Sequence, residues 1–216
     1  MKHCSILATA VVAATAGLAS ADTILSWGYT DTVGSFDGTT FSAVAGMDTA
    51  GDVTRLADPA STAEFDVGFL TRSALADVVI QIAVSNVGAV TADGSGTFEL
   101  TDNDGDTITG NIDGVFINGG AGFVFFNGLL TNVALNNNSP VSNTFDGVDG
   151  GSFDMDLPGS PPYEGAFIAL NLSGTNGFFT SAFDDISTQV NGEIVPAPAS
   201  LALLGLGGLA GIRRRR

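Results

Sequence analysis

Between Thr23 and Val195 apolar and polar residues alternate with a period of two, in runs too short for helices. The runs Thr23 to Tyr29, Glu64 to Leu70, Val78 to Val84 and Gly165 to Leu172 are rich in β-branched and aromatic residues. Each is bounded by Gly, Asn, Asp or Pro, so each reads as a strand ending in a turn. The nearest approach to a helical period, Ser73-Ala74-Leu75-Ala76-Asp77, is long enough for one turn ahead of a strand. Many short strands at close spacing predict an all-β domain, an antiparallel β-sandwich with jelly-roll-like wrapping.

The clearest local prediction lies between Gly96 and Gly114. Phe98 and Leu100 alternate with polar residues on one side, and Ile108 and Ile112 do so on the other, which makes a hairpin turning at Asp102 to Gly105. Asp146 to Asp156 reads as a Gly/Asp-rich loop followed by an edge strand, and Asp184-Asp185 as a strand end. Asn136 to Pro140 and Pro158 to Pro162 read as surface loops. All 15 phenylalanines fall inside this β region, and Phe98, Phe116, Phe123, Phe125 and Phe126 cluster at its centre, where core filling is the expectation. Trp27 and Tyr29 share one face of a strand. They are the pair to nominate for stacking on sugars, although core packing is the simpler role.

Two apolar runs at the chain ends break the alternation. Residues 1–21 combine a short basic start (Lys2, His3), an apolar segment from Ile6 to Leu18 and the small residues Ala19-Ser20-Ala21, which together predict a helical signal peptide cut after Ala21. At the other end the run Leu201 to Ile212 rises only about 18 Å as a helix, short of the roughly 30 Å of a bilayer core. A Pro-containing hinge precedes it and Arg213, Arg214, Arg215 and Arg216 follow, an order that places the arginines on the cytoplasmic side.

This tail resembles the PEP-CTERM sorting signal of Gram-negative, exopolysaccharide-producing bacteria. The resemblance covers Val195 to Arg216 and rests on Val195-Pro196-Ala197-Pro198-Ala199-Ser200, the segment Leu203 to Ala210 and the closing arginines; Ala197 stands where the family pattern usually has Glu. It implies transient insertion in the inner membrane and removal of the tail by an exosortase, with a weak permanent tail anchor as the alternative. The domain organisation is then 1–21 signal peptide, 22–194 β domain and 195–216 sorting signal.

Without its two ends the chain keeps two basic residues, Arg55 and Arg72, against all 23 acids. His3 and Cys4 are lost with the leader, and no lysine remains. Nucleophilic sites built on His or Cys, thiol redox chemistry, Schiff bases and zinc sites of nitrogen and sulfur ligands are thereby excluded from the exported segment. So acidic a surface also excludes nucleic acid as a partner. Arg55 and Arg72 are expected to pair with acids, and a domain without disulfides must be held by packing.

Asp102, Asp104 and Asp106 sit at alternate positions, as at the start of an EF-hand loop, and offer the hard oxygens that Ca²⁺ prefers. The frame departs from that motif. Thr107 occupies the glycine position and Asp113 the place of the bidentate Glu, and strands flank the loop instead of helices. A calcium loop of another kind and a solvated hairpin tip are the two readings.

The expected function is that of an exported, non-catalytic protein of the cell surface or of an exopolysaccharide or biofilm matrix, its charge bridged to polymers by divalent cations. The alternatives are a secreted glycan-active enzyme working with two carboxylates and a calcium-dependent carbohydrate-binding module.

Overall fold

The computed structural model describes residues 22–140, 142–172 and 178–196. Strands β1 (Leu25–Phe36) and β2 (Thr40–Val44) form a hairpin, and β3 (Ala50–Arg55) and β4 (Ser61–Phe65) form another. A helical turn, α1 (Phe69–Arg72), leads into a meander of β5 (Asp77–Ser85), β6 (Thr91–Thr101), β7 (Thr107–Gly120) and β8 (Phe123–Asn136). A small hairpin of β9 (Thr144–Asp146) and β10 (Ser152–Asp154) precedes the last pair, β11 (Tyr163–Leu172) and β12 (Phe183–Val195). The predicted signal helix, its cleavage residues Ala19 and Ala21, and the predicted apolar helix lie outside the described residues. So do Ala197, Pro198 and Arg213 to Arg216.

The all-β, antiparallel expectation holds, but the sheet closes on itself. β12 pairs with β11 on one edge and with β1 on the other, giving the ring β1-β2-β5-β6-β7-β8-β11-β12. Going round the ring, each strand follows the last in chain order, with β3–β4 and β9–β10 as excursions. This is an up-and-down barrel, and it corrects the expectation of a jelly-roll sandwich, in which strands cross between two sheets. Sequence alternation is the same in both architectures, because each has one buried and one solvated face per strand. What distinguishes them is which edges pair, and here β1 and β12 seal the seam over Leu25↔Ile194 to Phe36↔Phe183.

Bulges bend the ring, three of them at Asp or Asn residues with positive φ. In β1, Leu25, Trp27 and Tyr29 face inward at odd positions, whereas Thr32, Gly34 and Phe36 do so at even ones; the switch falls at Asp31, with φ 53°. Asn132 (φ 53°) switches β8 from Leu130 to Val133, and Asp185 (φ 57°) does the same near the start of β12. Asp and Asn tolerate the left-handed region better than other side chains, and an extra residue there sharpens the local twist.

An eight-stranded ring encloses just enough room for its own side chains. Trp27 stacks on Phe98 at 5.5 Å between ring centroids and packs against Phe167 at 5.7 Å. A Cβ on Gly192 would come within 2.3 Å of the Trp27 indole, so the side-chain-free position is what admits that ring. Deeper in the barrel, Phe116 packs on Phe126 at 4.5 Å and on Phe179 at 4.7 Å. Outward positions such as Asp93, Ser95, Thr97 and Glu99 of β6 are polar. On β6, apolar inside and polar outside is the reverse of the pattern of a membrane-spanning strand.

Two expectations need correction in detail. Phe98, Phe116 and Phe126 are core, but Phe123 and Phe125 are 41% and 40% exposed, because they flank the inward Val124 and so face outward by the period of two. The run Glu64 to Leu70 is not one strand either: β4 ends at Phe65, and Gly68 (φ 83°) turns the chain into α1, ahead of the predicted Ser73 to Asp77 turn.

Candidate metal centre at the end of the barrel that carries both termini

At one end of the barrel β1 takes β3 in place of β2 along its first half, so the sheet forks. The gap is filled by α1, by the β9–β10 hairpin and by a second set of rings, with Tyr29 5.9 Å from Phe65 and Phe145 stacked on Phe153 at 5.4 Å. The described β domain begins and ends here: the Ile24 N–H donates to the Ile194 carbonyl at 2.9 Å. Val195 pairs with Glu164 as the last residue of β12, and Pro196 follows, ending the ladder for want of an N–H.

The predicted β6–β7 turn is at this same end, and it is built on Asp102. The Oδ1 atom of Asp102 accepts the N–H groups of Asp104 (3.0 Å), Gly105 (2.8 Å) and Asp106 (2.9 Å), with Gly105 at φ 102°. Its Oδ2 accepts the N–H of Asp146 at 2.7 Å, and the Asn103 N–H donates back to the Asp146 carbonyl at 3.1 Å. The turn therefore holds the first residues of the β9–β10 excursion. Asp106 reaches a different stretch of the same connection: its Oδ1 accepts the N–H of Asn138 (2.6 Å) and of Ser139 (2.7 Å). Ser142 Oγ lies 3.3 Å from Asp104 Oδ2 and 3.2 Å from Asp146 Oδ2, with one proton to share between them.

The three predicted aspartates are thus brought together, with one carboxylate oxygen of each lying within 4.8 Å of the others. Asp102 and Asp106 are fully buried. Burial raises the Asp102 carboxyl to about 6, against the pull of the Asp146, Asp104 and Asp106 N–H groups, and the neighbouring Asp104 carboxyl adds to the rise. Two oxygens of the group, Asp104 Oδ1 and Asp106 Oδ2, are buried with no hydrogen-bond donor among the described residues. Asp113, at the EF-hand's twelfth position, sits exposed in mid-strand opposite Ser95 and Leu129, so the EF-hand frame is absent. Asn138, Ser139, Ser142 and Asp146 were not foreseen as members; their separation in sequence from the turn left only their loop composition as a signal.

The two arginines pair with acids as expected, at other places. Arg55 meets Asp156 at 2.6 Å, and Arg72 meets Asp149, whose carboxyl it holds below the ordinary range. Trp27 and Tyr29 are 2% and 1% exposed, so they belong to the core and offer no stacking surface. Among the described residues no helix is long and apolar enough to cross a membrane.

The family model of the PEP-CTERM protein-sorting motif matches residues 195–216, the stretch beginning at the last residue of β12. No curated protein and no solved structure matches the chain. The motif marks a protein that is exported across the inner membrane to the cell surface and sorted by an exosortase-type enzyme.

Proposed function

We propose that the chain is a non-catalytic surface protein, delivered by its tail and retained in an extracellular polysaccharide matrix. The observation that carries this reading is that the sorting motif begins inside the last strand of a closed and filled barrel. The folded part and its address share Val195, and the described β domain begins and ends at one end of the barrel, so the tail holds that end toward the membrane until it is cut. The acidic outer surface, with outward residues such as Asp93 and Glu99 of β6, is then presented to the exterior, where divalent cations bridge it to anionic polymers. The surface depression holding Asp52 and Asp66 is lined otherwise by Gly, Ala, Thr, Gln and Asn residues and by the buried rings of Tyr29 and Phe65, so it presents no exposed ring platform. That favours the non-catalytic reading over the two-carboxylate hydrolase.

The test is an epitope placed in the 86–90 loop, at the far end from the tail, in hosts with and without a functional exosortase. The expected result is a surface-located product whose intact mass lacks the tail in the first host, and a tail-bearing membrane species in the second. A tail-bearing product in both hosts would overturn the sorting step. Release of new reducing ends from a panel of exopolysaccharides by the purified protein would overturn the non-catalytic assignment.

A further inference from the structure

We infer that Asp102, Asp104 and Asp106 bind one calcium ion, which clamps the β6–β7 turn to the connection between β8 and β9. The inference stands apart from the proposed function and needs neither sorting nor a matrix.

Charge balance is the first argument. Asp102, Asp104 and Asp106 lie together with two of the three fully buried, and Ser142 ties Asp146 to the same group. The described residues contain two cationic side chains, and both are engaged elsewhere, Arg55 with Asp156 and Arg72 with Asp149. The described residues supply no countercharge, and clustered buried carboxylates without one are strongly disfavoured.

The second argument is independent of the clustering. In a folded protein, buried oxygens find donors. Asp102 obeys this rule with four N–H donors, and Asp106 Oδ1 does so with two. The other oxygen of Asp106, a residue with no exposed surface, has none among the described residues, and neither does Asp104 Oδ1 beside it. Atoms that accept nothing from the protein and cannot reach water are the ones a cation would satisfy.

Donor type and spacing select the ion. All the oxygens are hard, which suits Ca²⁺ or Mg²⁺. Separations of up to 4.8 Å fit a first shell at about 2.3–2.6 Å from Ca²⁺, whereas Mg²⁺ at about 2.0–2.1 Å requires a tighter cage. Asp104 is only half-buried, which leaves room for water to complete the coordination. With three carboxylates and no bidentate Glu, affinity falls in the range of extracellular calcium modules, about 10⁻⁴–10⁻³ M.

The experiment uses the full chain in mild detergent, stripped with EDTA and followed by thermal unfolding and by isothermal titration with CaCl₂ and with MgCl₂. At 10 mM Ca²⁺ the expected rise in Tm is about 3–10 °C with one ion per chain, and Mg²⁺ produces a markedly smaller rise. Asp104→Asn is the diagnostic variant, since Asp104 accepts one bond from Ser142 and leaves the Asp102 and Asp106 contacts intact. It is expected to fold in EDTA with nearly the parent Tm and to lose the calcium response. An equal response to both ions, a response that survives Asp104→Asn, or no response in the parent chain would each overturn the inference.

Discussion

The Arg55 guanidinium is buried, and it lies 2.6 Å from the Asp156 carboxylate, 101 residues away in the chain. The pair is lopsided, because the Asp156 side chain is 71% exposed while that of Arg55 is 5% exposed. The other partners of Arg55 are backbone carbonyls: those of Asp154, of Ala57 at 3.3 Å and of Asp58 at 3.5 Å. The guanidinium thus fastens the end of β10 and the residues just after it to the end of β3. Arg55→Ala is expected to destabilise the fold by about 2–4 kcal/mol, since it strands buried carbonyls and removes a packed stem. Asp156→Asn should change stability by less than about 1 kcal/mol, as expected for a solvent-screened carboxylate. Denaturant unfolding of both variants checks the contrast, and equal losses would contradict it.

Gly192 packs directly against the Trp27 indole in the β1–β12 seam. Gly192→Ala places a methyl within 2.3 Å of the indole and is expected to cost about 1–3 kcal/mol through overpacking. Trp27→Phe, which shortens the ring, should recover part of that loss in the double variant. A double-mutant cycle with additive effects would show that the two positions do not meet.

At the bulges, backbone conformation rather than side-chain contact sets the cost. Asn132→Ala keeps a β-carbon at φ 53° but loses the short polar side chain that tolerates the left-handed region, and should destabilise by about 1 kcal/mol, whereas Asn132→Gly should be close to neutral. At Asp31 the same comparison carries an added loss in both variants, because Asp31 Oδ1 accepts the Ser187 hydroxyl at 2.8 Å. Thermal melts of the four variants test the ordering.

The pH dependence of the metal-free protein follows from opposing groups. Asp102 is raised to about 6, so between about pH 4 and 6 the folded chain holds a proton that the unfolded chain has released. Its contribution is complete below the ordinary carboxylate range and is lost as pH rises through 6. Asp37, held low by the Thr40 and Thr39 N–H groups, and Asp149, held low by Arg72, act the other way: their contributions are present above the ordinary carboxylate range and are lost as pH falls through their folded values. In EDTA the stability maximum is therefore expected on the acid side of neutrality, measured by denaturant unfolding from pH 3 to 8. A steady rise from pH 4 to 7 would contradict the raised Asp102 carboxyl.

Much of this molecule was legible in one dimension wherever the deciding interactions are local. The β6–β7 hairpin and its turn at Asp102 to Gly105 could be read directly, because Asp102 bonds to N–H groups two to four residues ahead. The strand around Val78 to Val84 could be read for the same kind of reason, an apolar, mostly β-branched run broken only by Gln81 and with clear boundaries. The β4 boundary could not, since Glu64 to Leu70 keeps a strand-like composition through a turn that Gly68 sets. Nor could the full aspartate cluster, whose partners Asn138, Ser139 and Asp146 lie 32, 33 and 44 residues from the carboxylates that hold them.

By itself the sequence determined that the chain is antiparallel β, that residues 22–194 contain no histidine, cysteine or lysine, and that its tail carries a sorting motif. These are properties of composition, period and order, which no folding step can alter. Only the tertiary structure decided that β1 and β12 close a ring, that Phe123 and Phe125 turn outward, and that three aspartates converge with two oxygens left without donors. Each of these depends on which distant edges pair. A period of two states that a strand has an inner face, but the partner that covers that face is chosen by the closure of the whole sheet.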